Sequence, residues 1–178
     1  MSQFKTIKPS QLSRDEFVGV FADIYEHSPW VAETVYDQVH DLANQSTESD
    51  LDDIDTLHQQ MSSVLLSASH EAQLALINAH PDLAGKAAIR GELTQSSTDE
   101  QAGAGIHACN EEEFKRFSEL NDAYKAKFGF PFIMAVKGSN RYQILEAFEK
   151  RIHHSEQDEF KQALSEINKI ALFRLQQL

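Results

Sequence analysis

A chain of 178 residues, 41% hydrophobic and 25% charged, has the makeup of one globular domain, residues 1–178, able to bury roughly 70% of its unfolded surface. A formal net charge of −12 weighs against nucleic acid as a partner, because that binding needs a clustered basic surface. The lone Cys109 excludes an internal disulfide, and the longest apolar run, Pro131 to Val136, is far too short to cross a bilayer; with no apolar leader in MSQFKTIKPS and no peroxisomal address in the final QQL, a cytoplasmic protein without membrane partners is expected.

Helical periodicity runs through almost every segment. Leu12, Phe17, Val20, Phe21 and Ile24 predict a first helix ending near His27, and Pro29 opens a second that carries Trp30, Val31, Val35 and Val39. A polar loop is expected at Asn44 to Asp50. Ile54, Leu57, Met61, Val64 and Leu65 then predict a third helix, and Glu71 to Ala79 a fourth with Ser69 as its cap. Pro81 disfavours helical geometry at His80, which places that imidazole at the last turn or just beyond it. A helix C-terminus favours a protonated imidazole, so His80 is a candidate proton donor, although a histidine beside a proline is more often a plain boundary residue.

Downstream, Gly91 to Ser96 reads as a loop and Ser97 to Asn110 as a helical segment opened by a Ser97-x-x-Glu100 capping box. In that box Glu100 has two readings. It either serves only as a cap, or, ionised by the helix dipole, forms an acid–base pair with His80 if the two helix ends meet. Asn110-x-x-Glu113 opens a further helix through Phe114, Phe117, Asn121 and Tyr124, with Gly129 as terminator. FPFIMAVKG, Phe130 to Gly138, lacks helical spacing and reads as extended: either a buried connector or backbone turned towards a ligand. Arg141 to His153 and Gln157 to Leu178 complete an all-α bundle of about seven to nine helices.

Other chemistries lack their residues. There is no HExxH, no Cys/His spacing and no nucleophile elbow or phosphate loop, so neither a metal nor a cofactor is expected. His153 and His154 are adjacent on an expected helix, where their rings diverge by about 100°. Cys109 reads as core packing, and Gly103-Ala104-Gly105 as a helix slimmed for close approach. Arg174, among Ile170, Ala171, Phe173 and Leu175, is either an exposed arginine covering apolar surface or an inward-facing carboxylate clamp.

EHSPWVAE (26–33), HPDLAGKAA (80–88), EQAGAG (100–105), LNDAYKAKFGFPFIMAVKG (120–138) and KIALFRL (169–175) together resemble the 2-oxo-4-hydroxy-4-carboxy-5-ureidoimidazoline (OHCU) decarboxylases of urate breakdown. The resemblance implies an all-helical homodimeric enzyme, free of cofactor and metal, that acts on a small ureidoimidazoline and makes (S)-allantoin. It implies that His80 is the catalytic proton donor and Glu100 its partner carboxylate. Pro81, Ser97, Thr98, Asp99 and Gln101 would line or contact the substrate. The backbone of Phe132, Ile133, Met134, Ala135 and Val136 would meet the ring, and Arg174 would hold an anionic oxygen. The rival reading is a non-catalytic helical protein that retains the pocket and binds a small molecule.

Overall fold

The computed structural model describes residues 2–42 and 50–178, so the expected polar loop lies outside the described residues except for Asp50. Among them, nine α-helices and two short 3₁₀ turns make up the regular structure, and the only pairing of strand type is an isolated bridge between Gln3 and Asp53. The all-α expectation holds, at the upper end of the expected helix count.

Local chemistry sets the helix starts. At α1 (Arg14–Phe21) Ser13 accepts the amide of Glu16 while Glu16 accepts the amide of Ser13, a reciprocal box that satisfies two donors the helix leaves orphaned. The same device opens α7 (Glu111–Phe128) with Asn110 and Glu113, and α8 (Arg141–Arg151) with Asn140 and Gln143. Gly129, at φ 75°, ends α7 in the left-handed conformation that only glycine adopts at no steric cost.

The chain divides into two compact units, Met1–Ala79 with Asn168–Leu178, and His80–Ile167. In the first, α2 (Trp30–Leu42) packs against α1 and against α3 (Ile54–Ser67). The 3- and 4-residue spacing of Ile54, Leu57, Met61 and Leu65 places them on one stripe of α3, and all are buried. Ser69 caps α4 (His70–Asn78) as expected, its hydroxyl accepting the amide of Ala72.

The second unit holds α5 (Lys86–Arg90), α6 (Gln95–Gly103), α7 and α8, and takes in the first part of α9 (Glu156–Leu175). Its core is aromatic. Tyr124 of α7 is fully buried, with its ring centroid 4.5 Å from that of Phe128, 5.4 Å from Phe132 and 6.1 Å from Phe148. The last two pairs are edge-on, at 88°, and such pairs add about 0.5–1.5 kcal/mol beyond the area they bury.

Several boundaries differ from expectation. The first helix stops at Phe21 and the chain turns before α2, with His27 at φ 46°. Lys86 to Arg90, just before the expected loop at Gly91 to Ser96, forms α5. The segment from Ser97 to Asn110 is not one helix: α6 begins at Gln95, stops at Gly103, and is followed by a 3₁₀ turn at Ile106–Ala108. Gly103 does not slim a helix, since a Cβ there would meet nothing within 4 Å; Gly105, at φ 73°, supplies the left-handed turn that ends α6. α8 stops at Arg151, which leaves His153 and His154 in the turn that follows. Cys109 is half-buried beyond the 3₁₀ turn and is not a core helix residue; burial pushes its thiol up.

Candidate active site

His80 follows Ala79, the C-cap residue of α4, and its side chain is buried. The loop after it is tight. A Cβ on Gly85 would sit 2.6 Å from Cβ of Asp82, so the turn requires glycine, and Ala84 is held at φ 52°. A non-glycine residue in that region costs about 1–3 kcal/mol and persists only where its surroundings over-determine it. They do so here. Gln101 of α6 accepts the amide of Ala84 at 3.1 Å through Oε1 and donates to the carbonyl of Asp82 at 3.4 Å through Nε2. Asn121 of α7 donates to the carbonyl of Leu83 at 2.8 Å, and Lys125, one turn on, reaches the Asp82 carboxylate at 2.6 Å. Three successive loop residues are therefore tied to two helices, and the HPDLAG, EQAGAG and LNDAYK motifs meet at one place.

The face of α6 sorts its candidate residues. Ser97 and Gln101 are buried and Glu100 is half-buried, the spacing of one helical face. Thr98 and Asp99 are exposed: the Thr98 hydroxyl donates to the carbonyl of Thr94 at 2.9 Å, and Asp99 accepts from the Gln95 side chain at 2.8 Å. The Ser97–Glu100 capping box does not form. Thr94 is the N-cap, its hydroxyl accepting the amide of Ser97 at 3.3 Å, because α6 starts three residues earlier than the motif suggests. Glu100 thus lies in the second turn, where the dipole's preference for an anion has faded.

Phe130 to Gly138 is non-helical, as expected. Its polar groups are divided. The carbonyl of Ile133 accepts from Nη1 of Arg151 at 2.6 Å, and the amide of Ala135 donates to Glu166 at 2.8 Å. Among the described residues the amides of Ile133, Met134 and Val136 have no hydrogen-bond partner. Arg151 in turn donates through Nε and Nη2 to Glu159, which also accepts from the Tyr124 hydroxyl and lies 2.9 Å from Nδ1 of His154. Burial pushes the Glu159 carboxyl up, but the hydrogen bonds from Arg151 and Tyr124 and the charge of Arg151 outweigh it, and its pKa is held below the usual carboxylate value. Burial and the neighbouring Glu159 both raise the Tyr124 phenol. Of this network the sequence places Tyr124 on a helical stripe, Ile133 and Ala135 in the extended segment, and His154 beside His153. What the sequence pattern did not single out was charge at two buried helical positions, Glu159 and Glu166.

Arg174, in the first unit, faces inward. It is buried, with Nη2 2.9 Å from the Glu26 carboxylate and Nη1 3.2 Å from the carbonyl of Asp23, which removes the reading of an exposed arginine. In the second unit, a cleft of about 580 Å³ is lined mainly by apolar groups, Ile89, Leu93, Ala102, Ile106 and Phe114 among them. Thr98 and Gln101 reach its wall, but His80 and Glu100 do not. Among the described residues no cluster of three or more His, Cys, Asp or Glu is placed to hold a metal ion.

These features define an all-helical protein whose irregular backbone is pinned by buried polar side chains, the build of a small-molecule enzyme rather than of a structural bundle. Residues 10–176 match the family model described as OHCU decarboxylase, and the chain belongs to that family. It is 41% identical to the 2-oxo-4-hydroxy-4-carboxy-5-ureidoimidazoline decarboxylase of Halalkalicoccus jeotgali, covering 95% of this chain and 88% of that one. Against the Haloferax volcanii protein of the same name the identity is 40%, over 93% and 90%. Among solved structures it is similar to one described as (S)-allantoin synthase, with a TM-score of 0.71 at 31% identity, covering 94% of this chain and about half, 51%, of that chain.

Proposed function

We propose that this protein decarboxylates OHCU to (S)-allantoin, the last step from urate to allantoin, without a cofactor. The observation that carries the reading is the link from Gln101, the neighbour of Glu100, to the strained loop that follows His80. It ties together the two motifs that bear the donor and its partner carboxylate.

Loss of CO2 leaves an electron pair on carbon, so a decarboxylase needs an electron sink. In OHCU the carbon bearing the carboxylate adjoins a ring C=N, which accepts the pair, so the substrate carries its own sink. The protein's share is then orientation, stabilisation of developing charge and delivery of a proton to one face. His80 delivers that proton to carbon, and Glu100 orients the substrate hydroxyl or the imidazole and supports its charge. Pro81, Ser97 and Gln101 wall the substrate, and the 132–136 backbone meets the ring. Such general acid catalysis contributes about 10²–10⁴-fold.

The test is the optical activity of allantoin formed when urate, urate oxidase and hydroxyisourate hydrolase are mixed with this protein. Wild type accelerates decay of the last intermediate and gives one enantiomer; His80→Gln gives slow, racemic product. Unchanged stereospecific turnover in His80→Gln removes His80 as the donor. Decay at the spontaneous rate with wild type favours the non-catalytic binding protein. The family resemblance also supports a cytoplasmic homodimer, which sedimentation at micromolar concentration tests. Among the described residues no helix is long and apolar enough to cross a membrane.

A further inference from the structure

We propose that Arg151, held in place by Glu159 and Tyr124, is a positioning residue: it fixes the carbonyl of Ile133 so that the neighbouring backbone amides are presented to the substrate ring. This rests on the decarboxylase reading above and extends it to residues that touch no substrate.

Stability alone does not account for the arrangement. Glu159 is fully buried and Arg151 nearly so, and the desolvation of such a pair roughly offsets its attraction, so that apolar residues of the same volume are often as stabilising. An apolar pair cannot bind a carbonyl. The guanidinium does three things at once. Nε and Nη2 grip Glu159 at 3.1 and 2.8 Å, Nη1 holds the Ile133 carbonyl at 2.6 Å, and the plane lies over the Phe132 ring, 4.3 Å from its centroid. Phe132 also stacks on Phe148, centroids 3.7 Å apart. Residue 132 is thereby fixed by its side chain and residue 133 by its carbonyl, while Glu166 fixes residue 135 by its amide. Between and beside these anchors stand the amides of Ile133, Met134 and Val136, unpartnered among the described residues. A helical protein offers no ladder to such amides, so their direction is set by whatever holds the carbonyl and amide between them.

The test is Arg151→Lys, which keeps the charge beside Glu159 but loses the planar fork that serves two acceptors and a ring together. A displacement of about 1 Å can cost about 10²-fold in rate. We expect kcat/KM to fall at least tenfold, carried mainly by KM, with the thermal midpoint close to wild type. Amide exchange of residues 132–136 should quicken while exchange in α7 does not. Tyr124→Phe, which removes only the phenol bond to Glu159, should move KM the same way by less, and serves if Arg151→Lys does not fold. Unchanged KM and unchanged segment exchange in the folded variants overturn the proposal. An inactive wild type sinks the decarboxylase reading by itself, and the exchange comparison then still decides whether Arg151 holds the segment.

Discussion

The loop at 82–84 and the segment at 131–136 of the second unit both leave the helix, and their backbone is held by different kinds of side chain. The loop is held mainly by neutral carboxamides, Gln101 and Asn121, with one half-exposed ion pair between Asp82 and Lys125 at its edge. The segment is held by charge in the interior, Arg151 on the Ile133 carbonyl and Glu166 on the Ala135 amide. A carboxamide carries a donor and an acceptor, so it can bracket a tight turn from one side, as Gln101 does across Asp82 and Ala84. An extended strand without a neighbour needs its carbonyl and its amide served separately, and a guanidinium with a carboxylate does so at the cost of desolvating both.

The difference predicts unequal damage. The largest effect is expected from Glu159→Ala, which leaves the Arg151 guanidinium buried without its counter-charge and should cost about 3–5 kcal/mol of unfolding free energy in denaturant titration. The same group gives the segment a pH dependence the carboxamide clamp lacks. The Glu159 pKa is held below the ordinary glutamate value of 4.5, so its stabilisation is complete above that value and is lost as pH falls through the lowered one. Thermal midpoints measured from neutral pH downward should fall more steeply below about pH 4.5 in wild type than in Glu159→Ala. Next comes Gln101→Ala, which strands the buried amide of Ala84 and should cost about 1–3 kcal/mol with little dependence on pH. If it costs as much as Glu159→Ala, the contrast between the two clamps is wrong. The smallest effect belongs to Lys125→Met, since an ion pair with partners 40% and 25% exposed contributes at most about 1 kcal/mol.

Part of this was legible in the chain. The apolar stripes of α3 and α7, the Ser69 and Asn110 caps, the stop at Gly129 and the non-helical stretch after it are all local, set by neighbours within one or two turns. Where two local signals competed, reading failed. Thr94 and Ser97 both suit an N-cap, and the buried face of α6, with Ser97 and Gln101 on it, favoured the earlier start. Gly103 and Gly105 looked alike, yet only Gly105 adopts the left-handed turn. His154 was read beside His153 on a helix, whereas α8 ends at Arg151 and leaves His154 free to approach Glu159.

By itself the sequence determined the helical class, most caps and, through its motifs, the family, because each of these depends on short-range periodicity or on residue identity in order. Only the tertiary structure decided what the polar motif residues do. Gln101, Asn121 and Lys125 are separated from Asp82, Leu83 and Ala84 by 17 to 43 positions, and Arg151 from Ile133 by 18. A hydrogen bond is directional and lasts over about 3 Å, so which donor meets which carbonyl is fixed only when packed helices bring them within reach.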